Sequence, residues 1–234
     1  MKKTLTPILC SAALAFGFSA LSVRADGTNQ PVALETAKDS GNFYLTVDGG
    51  VMLESGIDYI NKTPGFRVSR DATFHPGERA DLDIGYTISK SFAAELETGM
   101  FWNSINKIGG EPLSVLGQAV SQQGVPLMAN LVYRIHGAGP VTPYIGIGAG
   151  GVVDTVDFNA TVDGRTITTV FTPAYQIEAG FKYALGQHAS IGLAYKFLGM
   201  ADQSFHPIFD GTKQTVDFNG VYTHSILLVF TWQF

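Results

Sequence analysis

The feature that most constrains this chain is an alternation of apolar and polar residues that recurs between residues 43 and 234. In the first such stretch the odd positions from 43 to 53 are apolar or glycine, whereas most of the even positions are polar. A strand with this period has one apolar face and one polar face. After residue 25 no run approaches the roughly 20 apolar residues of a transmembrane helix, so strands must make any membrane crossing.

Seven further stretches show the same period, at residues 79–88, 92–103, 127–136, 141–149, 171–183, 191–197 and 224–234. Short turns near residues 89–90, 137–140 and 186–187 alternate with long connections over residues 55–78, 104–125, 154–168 and 201–220. Outer-membrane barrels have an even strand number, short periplasmic turns and longer extracellular loops. We therefore predict an all-β fold, an eight-stranded antiparallel transmembrane up-and-down β-barrel over residues 42–234.

The first 25 residues have the pattern of a cleaved signal peptide. Lys2 and Lys3 precede an apolar run, and small residues at positions 23 and 25 fit cleavage after Ala25. Cys10 lies within this segment, and the bulky Leu9 before it disfavours a lipoprotein signal, so the mature chain would contain no thiol. Residues 26–41 are polar and lack a period, which predicts a periplasmic N-terminal extension. These features indicate export to the bacterial outer membrane.

Aromatic residues cluster at both ends of the predicted strands. Such belts are expected where a membrane-spanning barrel meets the lipid headgroups. The predicted aromatic girdle consists of Phe43, Tyr86, Phe92, Trp102, Tyr133, Phe171, Phe181, Tyr183, Phe197 and Tyr222, together with Trp232 and Phe234 at the C-terminus. Core aromatics of a soluble sandwich would not be expected to form two belts.

Charged residues fall mainly on the opposite faces of the strands, which would line the barrel interior. The predicted interior charges are Asp48, Arg79, Asp81, Asp83, Glu95, Glu97, Arg134, Glu178, Lys182 and Lys196. An eight-stranded interior is largely filled by side chains, which favours a salt-bridged polar core. A narrow porin or channel for small solutes is the alternative interpretation.

Two segments carry a family resemblance. The C-terminal Tyr222-Thr-His-Ser-Ile-Leu-Leu-Val-Phe-Thr-Trp-Gln-Phe234 resembles the last strand of outer-membrane barrels, and Thr142-Pro-Tyr-Ile-Gly-Ile-Gly-Ala-Gly-Gly151 resembles a strand of OmpA-like, OmpW-like and opacity-type small barrels. The resemblance implies that Phe230, Trp232 and Phe234 form an assembly signal. It also implies that the barrel-assembly machinery and periplasmic chaperones are partners during biogenesis.

The leading functional hypothesis is a non-catalytic barrel that supports the envelope or binds partners through its surface loops. Outer-membrane lipid and lipopolysaccharide would surround it, and a host or phage ligand is conceivable at the loops. The sequence predicts no catalytic, cofactor-binding or metal-binding residues and no cofactor. Nucleic acid is excluded as a partner because basic residues do not cluster.

One enzymatic alternative rests on the tripeptide His188-Ala189-Ser190, which echoes the His-x-Ser pattern of lipid A deacylases. The match is short, the acidic residue expected after such a pair is missing, and the tripeptide lies beside a predicted periplasmic turn. A lipid A-modifying enzyme is therefore the least favoured hypothesis. The five histidines are scattered, so a metal shared by His75 and His206 is not assigned.

Overall fold

The computed structural model describes residues 41–63, 66–115, 117–137, 139–160, 164–209 and 212–234. The predicted signal peptide at residues 1–25 and all but the last residue of the extension at 26–41 lie outside this range. No helix in the described part of the chain is long and apolar enough to cross a membrane.

Eight long antiparallel strands form a closed ring. They are β1 (Phe43–Glu54), β4 (Gly77–Thr87), β5 (Phe92–Ile108), β7 (Gln118–Arg134), β8 (Val141–Ala160), β9 (Gly164–Ala184), β10 (Ala189–Met200) and β15 (Tyr222–Gln233). Each strand pairs with the next in this order, and β15 returns to pair with β1. Closure leaves no unpaired edge, which a membrane-spanning sheet requires. The predicted eight-stranded antiparallel barrel is confirmed.

The side chains of the wall alternate between lumen and exterior, as β4 illustrates. Arg79, Asp81 and Asp83 are buried inside the barrel. Leu82 and Ile84, at the alternate positions of the strand, are exposed on the outer surface. The outer surface would be unfavourable in water because large apolar side chains cover it. Lipid is the solvent that suits this surface.

The four long connections were predicted as loops, and for much of their length this prediction is wrong. Seven short strands occupy these connections or their ends: β2 (Ile57–Thr63), β3 (Phe66–Phe74), β6 (Glu111–Pro112), β11 (Gln203–Phe205), β12 (Ile208–Phe209), β13 (Thr212–Lys213) and β14 (Val216–Asn219). In addition β5, β7, β8 and β9 extend well beyond the length that a membrane crossing needs. Cross-strand hydrogen bonds satisfy the backbone there, so the connections form sheet instead of irregular loop.

Strands β11, β14, β2 and β3 form a sheet that continues onto β5. We define the cap as all seven short strands (β2, β3, β6 and β11 to β14) together with the ends of β5, β7, β8 and β9 that lie beyond the level of Trp102. The cap lies at the end of the barrel opposite the three short turns. The general asymmetry of outer-membrane barrels predicts that the cap end faces the cell exterior and the short turns face the periplasm.

The interior is divided into two layers. The layer nearer the short turns carries most of the buried charges and a small apolar cluster that includes Tyr44, Tyr144 and Leu227. The layer nearer the cap is an apolar core, formed by Met52, Ile57, Ala72, Phe101, Ile105, Leu113, Val120, Met128, Val152, Val156, Phe158, Ala174, Leu198, Met200, Phe205, Val216, Phe218 and Val221. The barrel thus has a polar lumen closed by an apolar core.

Candidate functional site

A charge network crosses the polar lumen, and Arg79 is one of its two cationic centres. The Arg79 Nε donates to Asp81 Oδ2 at 2.7 Å, and Nη2 donates to Glu97 Oε1 at 2.8 Å. The same Nη2 reaches Gln176 Oε1 on the far strand β9 at 3.3 Å. The arginine side chain is fully buried, so these bonds link the walls without intervening solvent.

Lys196 on β10 is the second cationic centre. Its ammonium nitrogen lies 2.9 Å from Asp48 Oδ2, 3.0 Å from Asp81 Oδ2 and 3.1 Å from Glu97 Oε2. A buried ammonium surrounded by three carboxylates is strongly held, because each hydrogen bond is charge-assisted. Lys196 therefore joins strands β1, β4, β5 and β10 through the middle of the lumen.

Glu97 is the acceptor that joins the two centres. Besides Arg79 and Lys196, its carboxylate accepts from Asn130 Nδ2 at 2.9 Å and from Gln176 Nε2 at 2.6 Å. The Gln176 amide also donates to Asn130 Oδ1 at 3.0 Å. The two neutral amides thus add two hydrogen bonds to the Glu97 carboxylate beyond those from the charged groups.

Glycines on β8 provide the room for this network. A Cβ atom at Gly148 would collide with the Asn130 carboxamide, and one at Gly146 would lie 2.5 Å from Glu178 Oε1. The glycine-rich inner face of this strand thus makes space for long polar side chains from β7 and β9. It does not by itself open a channel.

The lumen narrows to a small cavity of about 40 Å³ at the short-turn end. Lys182 and Arg134 are half-buried there, and Glu95 accepts a 2.7 Å hydrogen bond from the Tyr44 hydroxyl. The Lys182 ammonium lies 5.5 Å from the ring centre of Tyr44 and 5.2 Å from that of Tyr144. Lys182 is therefore held against two aromatic faces, whereas Arg134 Nη2 donates to the Ser89 carbonyl oxygen at 3.2 Å.

The ten predicted interior charges are thus distributed over two places. Asp48, Arg79, Asp81, Glu97 and Lys196 are joined in one network, whereas Glu95, Arg134 and Lys182 line the short-turn mouth. Asp83 and Glu178 are buried in the same lumen, and each has one oxygen without a hydrogen-bond partner among the described residues. Sequence patterning identified the face but not these groupings.

The apolar core above the network was missed by the sequence analysis. Phe101, Leu198 and Met52 are completely inaccessible and point into the barrel from three different strands. The signal was present, because each occupies an inward position of its strand where the alternation predicts a polar residue. These residues close the lumen on the cap side.

Buried polar groups recur within the cap. Asp154 accepts from Gln122 Nε2 at 2.6 Å and from Gln203 Nε2 at 2.8 Å, and Glu54 accepts from the Asn103 amide. These residues come from strands that are distant in sequence. None of them was singled out as a site by the sequence analysis.

The outer sheet of the cap is fastened by Asp217 on β14. Its partial burial alone would raise the pKa, but the hydrogen bond from Lys62, the 2.7 Å bond from Ser204 Oγ and the charge of Lys62 outweigh burial. The pKa of Asp217 therefore lies below its usual range, and the carboxylate stays ionised. Strands β2, β11 and β14 are tied together at this residue.

The predicted girdle residues lie on the outer surface at two levels. At the short-turn end, Phe43 packs on Tyr86 with ring centres 5.0 Å apart, and Phe92 packs on Tyr133 at 5.1 Å. Phe181, Tyr183, Phe230, Trp232 and Phe234 are exposed toward the same end, whereas Trp102, Phe171 and Tyr222 are exposed toward the cap and Phe197 is half-buried. The Phe234 backbone N–H donates to the Phe43 carbonyl at 3.0 Å, which places the C-terminus at the barrel seam.

The His188-Ala189-Ser190 tripeptide does not assemble a catalytic pair. The His188 ring stacks on Trp232, and its Nδ1 lies 3.1 Å from the Gln233 carbonyl oxygen. Ser190 is buried in the short-turn mouth, and among the described residues no hydrogen bond joins it to His188. Within that same part of the chain, no three His, Cys, Asp or Glu side chains come together as a metal site.

Comparison with known proteins agrees with this architecture. A family model described as "Outer membrane protein beta-barrel domain" matches residues 10–234. The chain is 31% identical over 143 residues to "Uncharacterized outer-membrane protein y4mB" of Sinorhizobium fredii, and the match covers 59% of this chain and 59% of that protein.

Two solved structures extend the comparison to the fold. The outer membrane protein OprG from Pseudomonas aeruginosa superposes with a TM-score of 0.60 at 18% identity, over 84% of this chain and 97% of OprG. The outer membrane protease OmpT from Escherichia coli gives a TM-score of 0.54 at 8% identity, over 82% and 97% of the two chains. At such identities the likeness extends to the fold alone, and it includes both a protease and a protein not described as one.

Proposed function

The chain belongs to the outer membrane protein β-barrel domain family and resides in the bacterial outer membrane, and from this premise we propose that it is a non-catalytic, non-conducting barrel. In this proposal it reinforces the envelope and presents its cap to partners outside the cell. The observation that carries the proposal is the filling of the lumen at two successive levels.

At the first level, the bonds of Arg79 and Lys196 connect five wall strands across the lumen. At the second level, Phe101 and Leu198 lie in the apolar core with no accessible surface. An ion moving through the barrel would have to break the buried network and then cross the apolar layer. Both steps are costly, so the arrangement supports a closed barrel over the porin alternative.

Planar-bilayer recording tests this proposal directly. The full mature chain, reconstituted into lipid, should give no steady single-channel conductance. Insertion is verified in the same vesicles by the heat-dependent gel shift that closed barrels show, with a reconstituted general porin as the positive control. A stable conductance step from correctly inserted protein would contradict the closed barrel and favour a narrow channel.

The cap supports the binding part of the proposal. Arg67, Arg70 and Lys107 are exposed on it, and the sheet that carries them is continuous with the barrel wall through β5. A surface built on a rigid scaffold is well suited to recognition.

Arg67→Glu with Arg70→Glu should reduce attachment of cells to host or phage ligands without increasing detergent sensitivity. Cells that lack the whole protein should be more sensitive to detergent if the barrel reinforces the envelope. If these cells and wild-type cells behave equally in the attachment and detergent assays, the proposal is contradicted.

The absence of catalysis is tested on lipid A. His188 is engaged by Trp232 and Gln233 at the short-turn end, which does not support a role as a general base for a substrate in the outer leaflet. Mass spectra of lipid A should be the same in cells that lack or overproduce the protein. A mass difference of one acyl chain would overturn this part of the proposal.

A further inference from the structure

Five polar side chains from five strands meet at the base of the cap, near the level of Trp102. They are Glu54 of β1, Asn103 of β5, Gln122 of β7, Asp154 of β8 and Gln203 of β11. We call them the acceptor cluster. They lie beside the apolar core, where an unsatisfied polar group is costly.

Hydrogen bonds and strand register hold the cluster together. Asp154 Oδ2 accepts from both glutamine amides, at 2.6 Å from Gln122 and 2.8 Å from Gln203, and Glu54 accepts from Asn103. Asn103 and Gln122 are direct partners in the pairing of β5 with β7, and both are buried on the inner face. The negative charge of Asp154 also acts on Glu54. The two carboxylates are therefore electrostatic neighbours.

Each of the five residues keeps one buried oxygen that receives no hydrogen bond among the described residues. These oxygens are Oε1 of Glu54, Oδ1 of Asn103, Oε1 of Gln122, Oδ1 of Asp154 and Oε1 of Gln203. All five are acceptors. Other buried atoms are also open, among them Oδ1 of Asp48 and of Asp81 in the lumen network, but those two carboxylates each have a cation beside them. Buried polar atoms are normally satisfied, so five open acceptors in a cluster that has no cation point to a common ligand.

The amide orientations strengthen this point. Each amide nitrogen already donates to a carboxylate, so turning an amide would replace a good hydrogen bond with a repulsive contact between two oxygens. Within the described residues, no lysine or arginine forms an ion pair with Glu54 or Asp154. Among the described residues, the two carboxylates therefore have no basic side chain paired with them.

We propose that the acceptor cluster binds one divalent hard cation, calcium in preference to magnesium. Two carboxylates balance its charge, and three amide carbonyl oxygens supply neutral ligands of the type that calcium accepts. Calcium takes about six to eight oxygens in a flexible arrangement, so a bidentate carboxylate or a water completes the shell. Magnesium demands near-ideal octahedral geometry, which five ligands fixed on five strands do not readily provide.

The cation would fasten the cap to the barrel. Its ligands come from four wall strands and from β11, the edge strand of the cap sheet. This role goes beyond the proposed function, because a barrel without the cation could still be closed and non-conducting. Only two of its five ligands are acidic, and among the described residues no third His, Cys, Asp or Glu joins them.

The cluster is buried, so the test loads the cation during folding. The full mature chain is refolded in detergent with calcium, with magnesium or with a chelator, and then desalted. We expect one calcium per barrel by elemental analysis and a higher midpoint of thermal unfolding after refolding with calcium than with the chelator. Magnesium should be retained in a smaller amount and raise the midpoint less.

Two matched pairs of variants assign the site. Asp154→Asn and Glu54→Gln change the charge but not the size of a ligand, and each should reduce the bound calcium from one per barrel to none. Asp58→Asn and Glu78→Gln remove exposed carboxylates elsewhere and should retain it. The heat-dependent gel shift identifies folded samples, and Glu54→Gln decides the matter if Asp154→Asn fails to fold.

The wild-type chain gives an independent answer. No retained calcium, together with equal unfolding midpoints in calcium and chelator, would overturn the proposal and leave water as the occupant of the cluster. Retention of calcium by both ligand variants would overturn the assignment to these residues. Conductance recording does not depend on this result, so failure here and failure of the closed-barrel proposal are distinguishable.

Discussion

The ammonium nitrogen of Lys196 lies 2.9 Å from Oδ2 of Asp48, although β15 separates their two strands in the barrel wall. The same nitrogen lies within 3.1 Å of Asp81 and Glu97. One ammonium group thus contacts three buried carboxylates, two of which also pair with Arg79. Removing it would leave a concentrated negative charge in a region that water hardly reaches.

Lys196→Met tests this dependence. The methionine keeps much of the side-chain length but removes the charge, so the free energy of unfolding should fall by about 3–5 kcal/mol, as for other broken buried ion pairs. Denaturant titration of the refolded barrel measures the change. Arg165→Met is the control, because its partner Asp157 is bound at an exposed hairpin tip and its loss should not measurably change stability. Equal effects of the two substitutions would contradict the importance of the lumen network.

Gly148→Ala tests the room that β8 leaves for the network. The added methyl group would collide with the Asn130 side chain, which donates to Glu97 at 2.9 Å and accepts from Gln176. We expect a loss of stability on the order of 1–3 kcal/mol, as for other overpacked interiors. The control is Gly186→Ala, since a methyl group at that turn would contact nothing within 4 Å. A Gly148→Ala barrel as stable as the control would show that the network rearranges freely.

Leu96→Arg tests which surface faces lipid. Leu96 is 69% exposed near the middle of the wall, whereas Val115 in the cap is 75% exposed. In lipid vesicles Leu96→Arg should lower the free energy of unfolding by about 2–4 kcal/mol, and Val115→Arg should have little effect. A similar loss of stability at the two positions would contradict the assignment of Leu96 to the bilayer and of Val115 to the region outside it.

Deletion of Phe234 separates assembly from stability. The side chain is 70% exposed, so its loss should hardly change refolding of the purified chain in detergent. If the C-terminal aromatic residues are an assembly signal, the yield in the outer membrane should nevertheless fall, as measured by immunoblotting of membrane fractions. Phe43→Ala is a control at the same end of the barrel and should have less effect on yield. Unchanged yield after the deletion would argue against the assembly signal.

Acidic pH should loosen the outer sheet of the cap. The folded pKa of Asp217 lies below its unfolded value of about 3.9, so its contribution to stability is present above that value and is lost as pH falls through the folded pKa. The protection factors of the β14 amides, which are exchange rates corrected for the intrinsic rate at each pH, should therefore fall below about pH 4. In Asp217→Asn the protection factors should be lower at neutral pH and should lose this dependence. Wild-type protection factors that stay constant down to the folded pKa would show that Lys62 and Ser204 do not hold the strand through this carboxylate.

The barrel wall was predictable because strand geometry is local. Alternation of the kind seen at Arg79, Asp81 and Asp83 assigns each side chain to a face without knowledge of its neighbours. The cap was not predictable in the same way. Strands such as β2 and β14 pair across 155 to 161 residues of sequence, and nothing in either segment alone specifies that partner.

The sequence by itself determined the number of wall strands, their order and the inward or outward direction of their side chains, because these follow from a period of two and from the lengths of the turns. The tertiary structure decided which of those side chains meet. Lys196 reaches Asp48, and Asp154 joins Gln122 to Gln203, only because barrel closure and strand register set the distances across the lumen. Those distances depend on all eight strands at once, so no single stretch of sequence contains them.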